Sequence, residues 1–144
     1  MLVHAIFVCL SLLFFAPSTN AADSGFQPGP DLSSARAKIK AKDFPAAVVE
    51  LKPLAAKYDD ADTFNLYAYS LRKTGNREQA FIYYQKALQL NPNHKGALEY
   101  QGELFVETGQ IDNARRNVAR LKALCPAGCE ELSDLQEAID AGPK

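Results

Sequence analysis

A chain of 144 residues with a formal charge of −1 at pH 7 has room for one small domain. Its balance of charge provides no field that would draw it to nucleic acid or to an anionic membrane. No Gly-rich phosphate loop opens a helix and no nucleophile elbow is present, so the chain reads as a non-enzyme with no cofactor and no metal.

The first stretch, Leu2 to Ala16, is an apolar run followed by Pro17-Ser18-Thr19-Asn20 and the small pair Ala21-Ala22. That layout is a secretory signal peptide over residues 1–22, although no Lys or Arg precedes the run. A membrane span needs about 20 apolar residues, so the run is short for an anchor. Export is expected, to a periplasm first and to the medium as the alternative, with no membrane attachment once the leader is cleaved. Cys9 sits inside the run behind bulky Phe7 and Val8, which argues against a lipidated leader. Residues 23–30 are rich in Gly, Pro and Ser and read as a flexible lead-in.

Residues 31–60 carry two helical periods. Asp31 or Ser33 can cap the first, whose apolar positions are Leu32, Ala35 and Ile39. Asp43 caps the second, with Pro45 tolerated in its first turn and Phe44, Ala47, Leu51, Leu54 and Ala55 along one side. Pro53 predicts a kink rather than a break, since the apolar face continues beyond it. Lys42 stands where Gly75 and Gly109 stand in the later turns, and this turn is expected to be one residue shorter than those two.

From residue 61 the chain repeats itself. At a shift of 34, Gly75 falls on Gly109, Ala80 on Ala114 and Pro92 on Pro126. Ala68 meets Gly102, Leu71 meets Phe105 and Tyr84 meets Val118. Small residues at Ala68, Ala80 and Ala87 mark where two antiparallel helices approach, and Phe64, Tyr67, Leu71, Tyr84 and Leu88 fill the space between them. Gly75-Asn76 suits a tight helix end, and Asn91-Pro92 stops the second helix. The second copy departs at Leu121, where the first has Ala87, and at Gln101, where it has Tyr67. A fixed period with matching punctuation marks a stacked array.

This unit of helix, turn and helix resembles the tetratricopeptide repeat. The resemblance implies an all-α solenoid of antiparallel helix pairs in a right-handed stack of seven helices. Its parts would be a degenerate repeat at 31–60, repeats at 61–94 and 95–128, and a capping helix with tail at 129–144. Leu132, Leu135 and Ile139 would face the stack. Glu130, Glu131, Asp134, Glu137 and Asp140 would give the cap its polar side.

The resemblance also implies protein–protein interaction, by an adaptor, scaffold or assembly factor that takes a partner protein or peptide in a concave groove. Groove positions would include Asn65, Tyr69, Arg72 and Lys73, then Glu99, Glu103 and Glu107, with Asp62, Val106, Glu130, Ser133 and Glu137 beside them. The three glutamates are four residues apart and form an acidic stripe, whose like charges oppose folding slightly. The stripe is either a solvated face answered by Arg72 and Lys73 or a seat for a basic partner segment. Tyr69 and Tyr100 stand where a carboxylate-clamping subgroup carries Asn, so that clamp is not carried over. His94, in the turn between the copies, is expected to be solvated. Cys125 and Cys129 bracket a tight connection and fit a disulfide, with a redox-active pair as the rival. A self-associating structural array and a thiol-based redox module are the alternative functions, and a homo-oligomer stays open.

Overall fold

A computed structural model describes residues 29–143; the leader and most of the lead-in lie outside the described residues. Among the described residues the chain is all-helical. Its helices are α1 (Ser33–Lys40), α2 (Phe44–Lys57), α3 (Ala61–Lys73), α4 (Arg77–Leu90), α5 (Lys95–Glu107), α6 (Ile111–Leu124) and α7 (Glu130–Ala141). Each packs on its neighbour in the chain, and the odd-numbered helices also touch one another along the series α1, α3, α5, α7. No such contact joins α2 to α4 or α4 to α6 among the described residues. The odd helices therefore converge while the even ones splay, which bends the stack and puts α3, α5 and α7 on its concave side. This is the build of an α-solenoid.

Helix starts are set by side chains that satisfy the first free N–H groups. Asp43 Oδ1 accepts from the Ala46 N–H at 3.2 Å, and Pro45 sits in the first turn. Asp60 Oδ1 accepts from both the N–H and the hydroxyl of Thr63, each at 2.7 Å. Asn76 does the same for Gln79 at 3.4 Å. At α1, Asp31 accepts from the Ser33 N–H at 2.9 Å, so Asp31 rather than Ser33 serves the start. Helix α2 runs unbroken through Pro53.

The turn inside each helix pair is closed by the same bond, from an N–H to the carbonyl five residues back: Asp43 to Lys38, Asn76 to Leu71 and Gln110 to Phe105. Such a closure needs a left-handed residue just before it, supplied by Gly75 (φ +88°) and Gly109 (φ +74°). In the first pair Lys42 takes that place at φ 60°. All three turns are thus the same length, and the expectation of a shorter first turn is wrong. The missing residue lies in the connection from α2 to α3, residues 58–60, where α4 to α5 uses residues 91–94. A left-handed conformation costs a non-glycine residue about 1–2 kcal/mol. Lys42 is exposed, so Lys42→Gly should raise stability by up to about 1 kcal/mol in urea unfolding. A loss of stability would show that the strain at Lys42 is not what limits the turn.

The core divides in two. Leu51, Phe64, Tyr67, Leu71, Ala80 and Tyr84 belong to one cluster, and Leu98, Phe105, Val118, Leu121 and Leu135 to the other. Phe81 and Leu88 of α4 pack against both, and the Phe81 ring meets that of Phe105 at 5.8 Å. Helix α7 enters through Gly102, since a Cβ there would lie 2.5 Å from both methyls of Leu135. The two departures of the second copy are absorbed in this region. Leu121 is fully buried beside Leu135, and Gln101 accepts at 3.1 Å from Asn117, which also donates to the Leu98 carbonyl at 2.9 Å.

Candidate functional site

The concave face is built from side chains at matching positions of α3, α5 and α7. One end is a cleft of about 540 Å³ lined by Arg72, Lys73, Arg77, Glu103, Glu107 and Glu137, among others. Beside the cleft lies a half-buried aromatic surface, where Tyr69 meets Tyr100 at 4.5 Å and packs edge-to-face with Phe44 at 5.8 Å. Burial raises the pKa of both tyrosines, so they stay neutral and present hydroxyls and ring faces.

Arg72 lies beneath this surface. Its side chain is 1% exposed, and its guanidinium donates to Glu103 and, at 3.3 Å, to Glu107. The guanidinium carbon also lies 5.5 Å from the Tyr69 ring centre and 6.0 Å from that of Tyr100. Burial alone would lower the Arg72 pKa, but Tyr84, Glu103 and Glu107 around it carry it above its ordinary value. The arginine is a structural cation.

The acidic stripe therefore sorts into two kinds of glutamate. Glu103 and Glu107 answer Arg72, and Glu107 also takes Arg77 of α4 at 3.1 Å. Lys73 does not join them; it is exposed, and its ammonium sits 5.2 Å from the Tyr69 ring centre. Glu99, one turn away, is only 6% exposed, and no hydrogen bond or ion pair reaches its carboxyl among the described residues. Burial pushes its pKa up to about 8, helped by Glu103, Asp134 and Glu131 and opposed by Arg72. Asn65, at the matching place on α3, is equally buried, and its Oδ1 has no donor.

The opposite end of the odd helices carries a second polar chain. Arg36 of α1 donates to Asp62 at 2.6 Å, and Asp62 holds His94 Nε2 at 2.9 Å. His94 Nδ1 accepts from the Ala97 N–H at 3.1 Å, capping α5. An Nδ1 that accepts leaves the proton on Nε2, which donates to Asp62. The expectation of a solvated turn histidine is therefore corrected: the ring is 13% exposed and ties α5 to α3. Further along, Lys95 pairs with Glu131 of α7 at 3.3 Å. At the junction before the cap, the sulfurs of Cys125 and Cys129 lie 2.06 Å apart.

Asp62 was among the expected groove positions, but Arg36, Arg77 and His94 were not legible as site residues, because their pairings cross between helices and follow no local period. Among the described residues no group of His, Cys, Asp and Glu could hold a metal ion, and no helix is long and apolar enough to cross a membrane.

No curated protein matches the chain. The family model for the tetratricopeptide repeat matches residues 61–94, the span of α3, α4 and the connection after them. Repeats of this family bind protein partners. The chain therefore carries a tetratricopeptide repeat at residues 61–94, with helix pairs packed on either side of it.

Proposed function

We propose that this protein is an exported adaptor or assembly factor that holds a segment of a partner protein along the concave face of α3, α5 and α7. The observation that carries the reading is the cleft of about 540 Å³ between those helices. It has exposed Lys73 on one side, exposed Asp134 and Glu137 on the other, and half-buried tyrosines beside it. The surplus of carboxylates on α5 and α7 suits a basic segment, whose capture would weaken as salt screens the charges. Export rests on the leader-like residues 1–22, and in an oxidising compartment Cys125 and Cys129 would be held as a disulfide.

The test is photo-crosslinking in the source cells, with a crosslinking residue placed singly at Lys73, Glu137 or, on the outer helix α6, Arg115. Each of these positions is exposed, so the substitution is tolerated by the fold. One partner should be trapped from positions 73 and 137 and not from 115. The bait recovered from the envelope should begin near Ala22 and show no free thiol. Crosslinks from the outer position alone would overturn the groove, and a bait that retains Met1 would overturn cleaved export.

A further inference from the structure

Resting on that reading of the concave face, we propose that Glu99 and Asn65 form a seat for one primary ammonium, the side chain of a lysine carried by the partner segment. The two residues stand at matching positions of adjacent concave helices. Both are nine-tenths buried or more: Asn65 Oδ1 is a buried acceptor with no donor, and the Glu99 carboxyl takes part in no hydrogen bond or ion pair among the described residues. A buried acceptor without a donor and a buried carboxyl without a partner both oppose folding, so folding alone does not explain their pairing on one face.

The chain has cations nearby and spends them elsewhere. Arg72 is held by Glu103 and Glu107, Lys95 by Glu131, and Lys73 lies over the ring of Tyr69. What faces Glu99 adds to its need for positive charge: Glu103 on its own helix and Asp134 and Glu131 on α7, against Arg72 alone on α3. A lysine ammonium is compact, carries three donors and can point them at separate acceptors. A guanidinium is planar and suits paired carboxylates, the arrangement that Arg72 already fills.

The seat has a proton in it before the ligand arrives. With its pKa at about 8, Glu99 is largely protonated at neutral pH. An ammonium favours the carboxylate, so binding drives that proton into solution. Affinity should therefore rise with pH until Glu99 is ionised in the free protein, near pH 8, and level off above it.

The probe is the capped peptide acetyl-Gly-Gly-Lys-Gly-Gly-amide, titrated into the folded protein with carboxyl and amide resonances followed by NMR. Its acetyl-lysine and arginine counterparts are titrated beside it. The lysine peptide should perturb Glu99 and Asn65. At saturation it should lower the Glu99 titration midpoint by about one pH unit, equivalent by linkage to a tenfold difference in affinity between the two protonation states. The acetyl-lysine peptide should do neither, and Glu99→Gln should lose both the binding and its pH dependence. The seat is overturned by equal responses to lysine and acetyl-lysine, by tighter binding of the arginine peptide, by unchanged binding to Glu99→Gln, or by no response at all. Should Glu99→Gln fail to fold, the acetyl-lysine arm decides by itself. Crosslinking at positions 73 and 137 does not involve Glu99, so the lysine seat can fail while the groove stands.

Discussion

Leu135→Ala should lower the stability of the array by about 2–5 kcal/mol, measured by urea unfolding. Leu135 is fully buried, and its two methyls fill a notch left by the missing side chain of Gly102. Helix backbone on the far side cannot collapse into the space, so the cavity term should be felt in full. Helix α7 packs only on α5 and α6 and has no later helix among the described residues to hold it. The reciprocal change tests the same contact. Gly102→Ala gains about 1 kcal/mol of helix propensity, yet it must push a buried leucine aside. Its net effect should still be a loss of about 1–2 kcal/mol. A Leu135→Ala variant that unfolds like the wild type would mean that the cap is anchored elsewhere.

Arg72→Met should cost about 2–4 kcal/mol. Removing the guanidinium leaves Glu103 and Glu107, 24% and 31% exposed at their side chains, facing each other with only Arg77 on the second. Partial exposure of the two carboxylates keeps the loss below that of a fully buried pair. Neutralising them in the same chain should recover most of it, so the variant Arg72→Met with Glu103→Gln and Glu107→Gln should lie within about 1 kcal/mol of wild type. If the triple variant is no better than Arg72→Met, the arginine contributes by packing over Tyr69 and Tyr100 and not by charge. This separates a structural role for Glu103 and Glu107 from the recognition role inferred for Glu99.

Periodic features were legible in the sequence. Gly75 and Gly109, Ala80 and Ala114, and the apolar positions of α3 to α6 recur at fixed spacing because the same backbone contacts recur. Asp43 was legible as a cap because capping depends on residues within one turn. What stayed hidden depends on how one helix is set against the next. A period places Glu99, Glu103 and Glu107 on one stripe with Arg72 and Lys73 as candidates to answer it, but only packing reveals that Arg72 lies below the surface and takes both Glu103 and Glu107 while Lys73 takes neither. Arg77 reaches Glu107 from a different helix row, and His94 becomes a cap through the local backbone angles of its turn. The first pair misled for a related reason. A one-residue difference from the later pairs could sit in the turn or in the connection, and only the left-handed Lys42 shows that it sits at residues 58–60.

The contact pattern also sets how the chain finds this arrangement. Every pair of packed helices is adjacent in the chain or separated by one helix, and nothing joins α1 to α7 among the described residues. Each closure on the way to the folded state therefore spans a short stretch of chain, and the entropy surrendered before a contact forms is small. The pairs α1/α2 and α3/α4 complete one core cluster almost entirely from their own residues. Folding can begin at the amino end while the carboxyl end is still being delivered, and the last helix arrives at a surface already shaped to receive it.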